Sequence, residues 1–187
     1  MGRQNPPQRY SIRLYEYDYS QEGLYFVTIC TKDKVCLFGD IVDGEMVLND
    51  VGKMINEQWH NLKQYYINID LHEYIVMPNH IHSIIQIVDD VVGVPLVGTR
   101  NINGQPQGIA PTTLNSKTLG DIIGSFKSIT TNLYIHGVKQ NNWTAFNGKL
   151  WQRNYYEHII RNDDSHQKIT EYICENPKYW QTDDYYN

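Results

Sequence analysis

The chain has 187 residues, of which 41% are hydrophobic and 20% charged, a composition typical of a folded domain and not of a disordered segment. No apolar run approaches the roughly 20 residues needed to cross a bilayer, which argues against a membrane-spanning helix. The net charge of −5 argues against a nucleic-acid-binding protein, because such proteins usually carry a basic surface. We therefore expect a single domain over residues 1–187, with no membrane partner.

The cysteine content and the first residues indicate a cytoplasmic protein. The three cysteines are odd in number and lack the spacing of a metal site. Paired cysteines are typical of secreted proteins, whereas free thiols are typical of a reducing compartment. The opening segment MGRQNPPQRY contains no apolar signal region. We therefore expect cytoplasmic localisation.

The acidic net charge hides a basic segment. Between residues 117 and 161 six Lys and Arg residues stand against two acidic residues, Asp121 and Glu157, which gives 6 − 2 = +4. The chain also contains 15 tyrosines and four tryptophans. Aromatic rings offer stacking surfaces to unpaired bases, but core packing is the more common use of such rings. Composition alone leaves the function open.

The first quarter of the chain predicts an arm, a strand and a short extended segment. Residues 1–20 are polar and rich in tyrosine, which is typical of an arm. The segment 24–32 is rich in β-branched and aromatic residues and predicts a strand. A second, short extended segment over 44–49 follows the turn at Asp43-Gly44.

A helix and a hairpin follow. Asn49 or Asp50 suits a helix N-cap, and apolar residues recur at helical spacing over 50–66; they are Val51, Ile55, Trp59, Leu62 and Tyr66. Two strands over 67–77 and 80–88 are joined by Pro78-Asn79. So short a connection predicts an antiparallel hairpin.

The second half predicts a loop, a helix, a strand and a final helix. Residues 89–116 contain repeated Gly and Pro without periodicity, which predicts a long, flexible insertion loop. Thr118 suits the N-cap of a helix that ends near Gly137. A strand over 150–160 precedes a helix that Asp163 or Asp164 would cap and that Asn176-Pro177 would end.

The predicted order ββαββαβα defines the fold class. Antiparallel strands with helices packed on one face form an α+β sandwich. A ferredoxin-like layout, similar to that of RNA-recognition domains, accounts best for this order.

The sharpest local motif is Met77-Pro78-Asn79-His80-Ile81-His82. Residues i and i+2 of a strand point to one face, so His80 and His82 can present two imidazoles to one ion while Ile81 points into the core. The same pattern also occurs as two ordinary surface histidines, and no third ligand lies within the motif.

A second motif lies in the last predicted helix. Tyr172 and Asn176 are four residues apart and share a helix face. A tyrosine hydroxyl is a nucleophile when its proton is removed or stabilised, and a metal that polarises the target phosphate supplies the other half of that chemistry. The Asn176 amide oxygen would add a hard ligand beside the histidines. The alternative is a tyrosine packed by its ring, with Asn176 as a C-terminal cap.

The third candidate is the basic, aromatic segment 149–161. In a strand, Trp151 and Arg153 would share a face suited to phosphate contact and base stacking, although a half-buried edge strand would show the same pattern. Our candidates for DNA contact are Lys117, Lys127, Lys149, Trp151, Arg153 and Arg161.

Together these motifs resemble a known family. An MPNHxH hairpin, the pair Phe126-Lys127, the strand pattern WQ-x-x-YYE-x-x-IR and the helix pattern YI-x-x-NP occur in fixed order from about residue 24 to residue 176. The sequence thereby closely resembles the REP-associated tyrosine transposases, within the insertion-sequence-200-like group of single-tyrosine HUH transposases. The acidic net charge and the long 89–116 loop depart from a minimal member of that group.

The resemblance implies an activity and a role for each matching residue. His80 and His82 fall on the metal ligands of the HUH motif, Tyr172 on the nucleophile, and Asn176 on a further metal ligand. Such proteins cleave single-stranded DNA beside a hairpin, form a 5′-phosphotyrosine bond and free a 3′-OH, which serves DNA transposition. They work as a monomer or as a homodimer.

The ligand types indicate which ion the site would use. Imidazole and oxygen ligands suit Mg²⁺ or Mn²⁺, and Mn²⁺ tolerates imidazole better. A structural zinc site would be expected to use cysteine, and none is placed for it. The phosphotyrosine bond conserves the energy of the broken linkage, so no nucleotide cofactor is expected.

Two other functions remain open on sequence grounds. One is a domesticated nucleic-acid-binding module that has kept the fold without cleavage activity and uses its sheet as a stacking platform. The other is a metal-binding protein for storage or sensing, which would bind metal tightly and would not depend on Tyr172.

Overall fold

The computed structural model describes residues 18–88 and 118–186. The strands are β1 (Gly23–Cys30), β2 (Gly39–Val42), β3 (Glu45–Leu48), β4 (Ile69–Val76), β5 (His80–Ile87) and β6 (Tyr156–Ile160). The helices are α1 (Asp50–Tyr65), α2 (Leu119–Gln140) and α3 (Asp163–Glu175), and α3 is followed by a 3-10 helix over Asn176–Thr182. None of the helices in these two ranges is long and apolar enough to cross a membrane.

The main sheet confirms the predicted α+β, ferredoxin-like class. Its four strands lie in the order β4-β5-β1-β6, and β1 pairs antiparallel with both β5 and β6. The hairpin of β4 and β5 is antiparallel as predicted, with Val76 opposite Ile81. Helices α1 and α2 pack together on one face of this sheet, and α3 contacts β4 and β5.

The alternation of β5 assigns each face of the sheet. Ile81 and Ile85 belong to the large core beneath α1 and α2, together with Trp59 of α1 and Phe126 of α2. Ile84 points the other way and packs against Ile173 of α3. His80 and His82 share the Ile84 face because they differ from it by even steps along the strand. Helix α3 therefore lies across the face that carries the two histidines.

The helix caps show where the sequence signals were correct and where they were wrong. Asn49 caps α1 and accepts a hydrogen bond from the Gly52 amide (2.9 Å), and Thr118 caps α2 as predicted. Helix α2 runs three residues past the predicted end at Gly137. The cap of α3 is Asn162, one residue before the predicted aspartates, because its side chain accepts from the Ser165 amide at 2.8 Å.

One predicted strand is confirmed and another is corrected. The short extended segment over 44–49 contains β3, which forms a hairpin with β2, a strand that was not predicted. Asp43 and Gly44 at the turn between them both have positive φ, the backbone of a type I′ turn. The strand predicted over 150–160 begins only at Tyr156, and its first half is irregular apart from a bridge between Thr31 and Trp151. The 89–116 loop and residues 1–17 of the arm lie outside the described residues.

Candidate active site

The two histidines are held rigidly at the start of β5. His80 and His82 are buried, with 0% and 1% of their surface exposed, and their ring centroids are 4.4 Å apart. His80 Nδ1 lies 2.8 Å from Asn79 Oδ1, and His82 Nδ1 lies 2.8 Å from Thr28 Oγ1 on the paired strand. These hydrogen bonds fix both ring orientations, as is usual for metal-binding histidines.

Tyr172 of α3 reaches the same point from above the sheet. Its hydroxyl lies 3.1 Å from His82 Nε2, and 44% of its surface is exposed. A tyrosine that donates to Nε2 leaves the His82 proton on Nδ1, which then donates a hydrogen bond to Thr28 Oγ1. Helical spacing thus brings the predicted nucleophile to the histidine pair.

Asn176 completes this group from the end of α3. It is 2% exposed, and its Nδ2 donates to Asp183 Oδ2 at 2.7 Å. Its amide oxygen and His80 Nε2 are both buried, and neither has a hydrogen-bond partner within the described residues. A buried polar atom without a partner costs free energy, so these two atoms mark a place prepared for another group.

Asp183 is a site residue that the sequence reasoning missed. One of its carboxylate oxygens, one nitrogen of His80 and one nitrogen of His82 lie within 4.8 Å of one another. The 3-10 helix after α3 leads the chain back and places Asp183 beside the histidines, where Asp183 Oδ1 accepts from the Tyr185 amide at 2.7 Å. An acidic residue seven positions beyond Asn176 carries no sequence signal of its own, because only the chain reversal makes it a neighbour.

The pKa shifts follow from burial. Burial lowers the pKa of His80 to about 3, with a further contribution from the positive charge of Lys34. Burial and the neighbouring His80 lower the pKa of His82 well below its ordinary value, against the attraction of Asp183. Both imidazoles are therefore neutral at pH 7 and keep a lone pair for a ligand. Burial, followed by the negative charge of Asp183, raises the pKa of the Tyr172 hydroxyl.

The tail of the chain covers the histidines. The Tyr185 ring lies 4.6 Å from the His80 ring, and the Trp180 ring lies 5.9 Å from it. Asn79 Nδ2 donates to the Tyr185 carbonyl at 2.9 Å. A cavity of about 330 Å³ remains open beside this cover and is lined by Tyr172, Asn176 and Asp183 among others.

The donor set fits a divalent cation. Two neutral imidazoles and one carboxylate converge, and the Asn176 side chain is hydrogen-bonded to that carboxylate. His80 Nε2 and Asn176 Oδ1 are buried without a partner among the described residues. Hard oxygen donors with imidazole suit Mg²⁺ or Mn²⁺. The three residues predicted as ligands belong to this group, and Asp183 adds a negative charge that the prediction lacked.

Two of the six candidate DNA-contact residues are engaged within the protein. Trp151 is only 5% exposed and its Nε1 donates to Thr130 Oγ1 at 3.0 Å, so its proposed role in base stacking is wrong: the ring belongs to the core. Lys127 donates to the carbonyls of Gln152 and Asn154, both at 3.0 Å, and burial lowers its pKa to about 8. Its ammonium group therefore holds the segment before β6.

The remaining DNA candidates stay predictions. Lys149, Arg153 and Arg161 are exposed and have room to meet a phosphate backbone. Lys117 lies outside the described residues.

A solved structure shares the fold of this chain. A REP-associated tyrosine transposase, solved bound to a REP hairpin, superposes with a TM-score of 0.54 and covers 89% of this chain and 73% of its own. Sequence identity is 17%, so the likeness shows a shared fold.

Sequence comparison identifies the family. No protein-family model matches the sequence. A Haemophilus influenzae protein described as an uncharacterized protein is 40% identical over 182 residues, which span 95% of this chain and 93% of that protein. The chain belongs to the same family as this Haemophilus protein.

Proposed function

We propose that the protein is a transposase-type endonuclease and strand transferase of the HUH class, which cleaves single-stranded DNA through a 5′-phosphotyrosine intermediate and acts in the cytoplasm. One observation carries this proposal. The Tyr172 hydroxyl lies 3.1 Å from His82, beside the unpartnered buried atoms of His80 and Asn176. A nucleophile and a prepared cation site at one point are what phosphodiester cleavage requires.

His80, His82 and Asn176 would hold the cation, with Asp183 as an additional ligand. Mg²⁺ or Mn²⁺ bound there would polarise the scissile phosphate and stabilise the charge that develops on it. Asp183 also accepts the Asn176 Nδ2 hydrogen bond, which orients the amide group, and the Asn176 amide oxygen has no other partner among the described residues. His82 Nε2 cannot bind a cation and accept the tyrosine proton together. Cation binding would therefore release the Tyr172 hydroxyl from His82.

Tyr172 acts as the nucleophile in this proposal. Its oxygen forms a bond to the phosphorus and the bond from phosphorus to the 3′ oxygen breaks, so the leaving strand takes a proton and ends in a 3′-OH. The reverse attack by a 3′-OH rejoins DNA without an external energy source. Burial and Asp183 raise the pKa of the hydroxyl, which keeps Tyr172 protonated in the resting protein and makes its activation depend on the bound cation.

The substrate that we propose is single-stranded DNA beside a hairpin. The structural neighbour is solved with a REP hairpin, and Tyr172 opens onto a cavity of about 330 Å³ through which a phosphate can approach. Exposed Lys149, Arg153 and Arg161 are the proposed backbone contacts. They lie in the basic segment 117–161 of an otherwise acidic chain.

The test is covalent attachment to DNA. Single-stranded hairpins from the sequence flanking the gene are incubated with the protein and Mn²⁺ or Mg²⁺, and the products are separated on a denaturing gel. We expect a shifted, protease-sensitive DNA band that EDTA abolishes and that is absent in Tyr172→Phe. Tyr179→Phe is the matched control, because Tyr179 is exposed and lines the same cavity.

The variants also separate the competing function. Tyr172→Phe removes one oxygen from a half-exposed side chain, so DNA binding and the free energy of unfolding should change little. Adduct formation by Tyr172→Phe at the wild-type level would remove Tyr172 from its role. Binding of several flanking hairpins without any adduct would favour the domesticated binding module.

A further inference from the structure

A β-bulge in β4 creates a second group of ligand-type side chains, away from the candidate active site. Leu71 pairs with Ile85 and Tyr74 pairs with Ser83, so His72 and Glu73 together stand opposite the single residue Ile84. Chain neighbours in a regular strand point to opposite faces, and a bulge removes that restriction.

The faces of the neighbouring residues show where the bulge directs its side chains. Leu71 and Tyr74 both pack against the α1–α2 core, while Ile84 packs beneath α3. His72 and Glu73 therefore both lie on the side of α3. Without the bulge, one of them would point into the apolar core.

His166, in the first turn of α3, meets these two residues. One ligand atom from each of His72, Glu73 and His166 lies within 4.8 Å of the other two. The rings of His72 and His166 are 5.8 Å apart and nearly perpendicular, at 83°. Two nitrogens and one carboxylate thus converge between β4 and α3.

The hydrogen bonds leave nitrogen atoms available. His72 Nε2 lies 2.9 Å from Gln86 Oε1, an acceptor, so Nε2 carries the proton and Nδ1 keeps the lone pair. A metal-binding histidine commonly donates its second N–H in this way. His166 Nε2 is buried and has no hydrogen-bond partner in the described parts of the chain. The site thus offers an oriented ring and an unpartnered buried nitrogen.

We propose that His72, Glu73 and His166 bind a divalent transition metal, with zinc as the best match. Two histidines and one glutamate form an established three-ligand zinc set that leaves a fourth position for water. This donor set is softer than that of the candidate active site, which has more oxygen donors, so the two sites should differ in metal preference.

The position of the ion gives it a structural role. It links the bulge of β4 to the first turn of α3, whereas Tyr172 lies six residues further along that helix, about 9 Å at 1.5 Å per residue. Helix α3 contributes only one buried residue, Ile173. An ion at its N-terminal end would therefore fix the helix that carries Tyr172. This inference does not depend on the proposed function.

The test is metal binding by the whole chain. The protein is freed of metal with EDTA, and binding of Zn²⁺ is measured by competition with a chromogenic chelator; Co²⁺ binding is followed by its visible absorption. We expect His166→Ala to lose one equivalent of Zn²⁺, or at least tenfold in its affinity, and to lose the associated rise in Tm. His158→Ala, an exposed histidine of β6, should behave as wild type.

A second variant guards against misfolding. Glu73→Gln keeps the side-chain shape and removes the charge, so it should retain the fold by circular dichroism and still weaken Zn²⁺ binding at least tenfold. Zn²⁺ stoichiometry and affinity equal to those of wild type in folded Glu73→Gln and His166→Ala would overturn the proposal. The candidate active site keeps its own ligands in both variants, so a loss of one equivalent is assigned to the bulge.

Discussion

The two faces of the main sheet are built from the same strands and differ in almost every other respect. The face beneath α1 and α2 carries the large apolar core, centred on Trp59 and Phe126. Among the residues that the structure describes, the buried apolar cluster of the face beneath α3 has four members, which are Phe26, Ile84, Ile160 and Ile173. One face therefore supplies most of the apolar burial, and the other is left free for polar side chains.

Several buried polar side chains lie on the α3 face. Thr28, His80, His82 and Asn176 are buried there, and Asn79 is buried in the adjoining hairpin turn. Burying polar groups costs free energy unless they are hydrogen-bonded, and two of these side chains have an unpartnered atom within the described residues. The buried polar side chains on this face therefore lower the stability of the metal-free protein, and they hold the potential ligand atoms in place.

β5 joins the two faces and explains why the candidate site is rigid. Ile81 lies between His80 and His82 and is fully buried in the α1–α2 core. The histidines therefore cannot move without disturbing that core. Sites built on strands are held more precisely than sites built on loops, so the large core positions the small site on the other side.

A pair of neighbouring substitutions measures how much each face contributes to the free energy of unfolding. Ile85 and Ile84 are both 0% exposed and point to opposite faces. Ile85→Ala leaves a cavity in the large core and should cost about 3–4 kcal/mol of unfolding free energy, within the range for such truncations. Ile84→Ala should cost about 2 kcal/mol, because the small cluster beneath α3 relaxes more easily.

Urea unfolding of both variants in metal-free buffer measures the difference. Equal m-values would show that the denatured states are comparable. An equal or larger cost for Ile84→Ala would contradict the assignment of the dominant core to the α1–α2 face.

The sequence predicted the local parts of this arrangement better than the long-range parts. Alternation put His80 and His82 on one face with Ile81 between them, and helical spacing put Tyr172 beside Asn176. In the structure Tyr172 contacts His82, the two histidine rings are neighbours, and Asn176 is hydrogen-bonded to Asp183 beside them, while their chemical roles stay predictions. These relations depend on periods of two and four residues, which are visible in the chain itself.

What the sequence did not predict depends on irregular backbone. Asp183 reaches the histidines because a 3-10 helix reverses the chain, and Glu73 joins His72 because of a bulge. Trp151 was assigned to a strand face, but the irregular segment before β6 directs it into the core. Neither a reversal nor a bulge has a residue pattern that could be read without the pairing of the strands.

Acid should destabilise the metal-free protein through its buried histidines. Burial lowers the pKa of His80 to about 3, whereas an unfolded histidine titrates near 6.5. Between these values the unfolded chain binds a proton that the folded chain does not, so stability falls as the pH falls below 6.5. His80 contributes up to about 1.4 kcal/mol per pH unit to this loss.

His80→Gln tests this origin of the acid sensitivity. In EDTA-containing buffer, its unfolding free energy should fall less steeply between pH 6.5 and 4.5 than that of wild type. His136→Gln is the control, because His136 lies on the exposed side of α2 and its removal should leave the slope unchanged. If the unfolding free energy of His80→Gln fell with pH as steeply as that of His136→Gln, His80 would bind its proton equally in the folded and the unfolded chain. Its pKa would then not be lowered by folding.

The smallest expected effect tests how firmly each helix is attached to its face. Asn162 caps α3 by accepting from the Ser165 amide, and Thr118 caps α2 by accepting from the Asp121 amide. Replacing either cap with alanine costs about 1 kcal/mol. α3 has one buried residue and α2 has seven, so the two losses should appear in different places.

Asn162→Ala should accelerate amide exchange about fivefold in α3 alone, since that helix opens locally. Thr118→Ala should accelerate amide exchange in α2 and β5 together. Equal acceleration of β5 in both variants, measured in metal-free buffer, would mean that α3 unfolds only with the whole core and that the two faces form one cooperative unit.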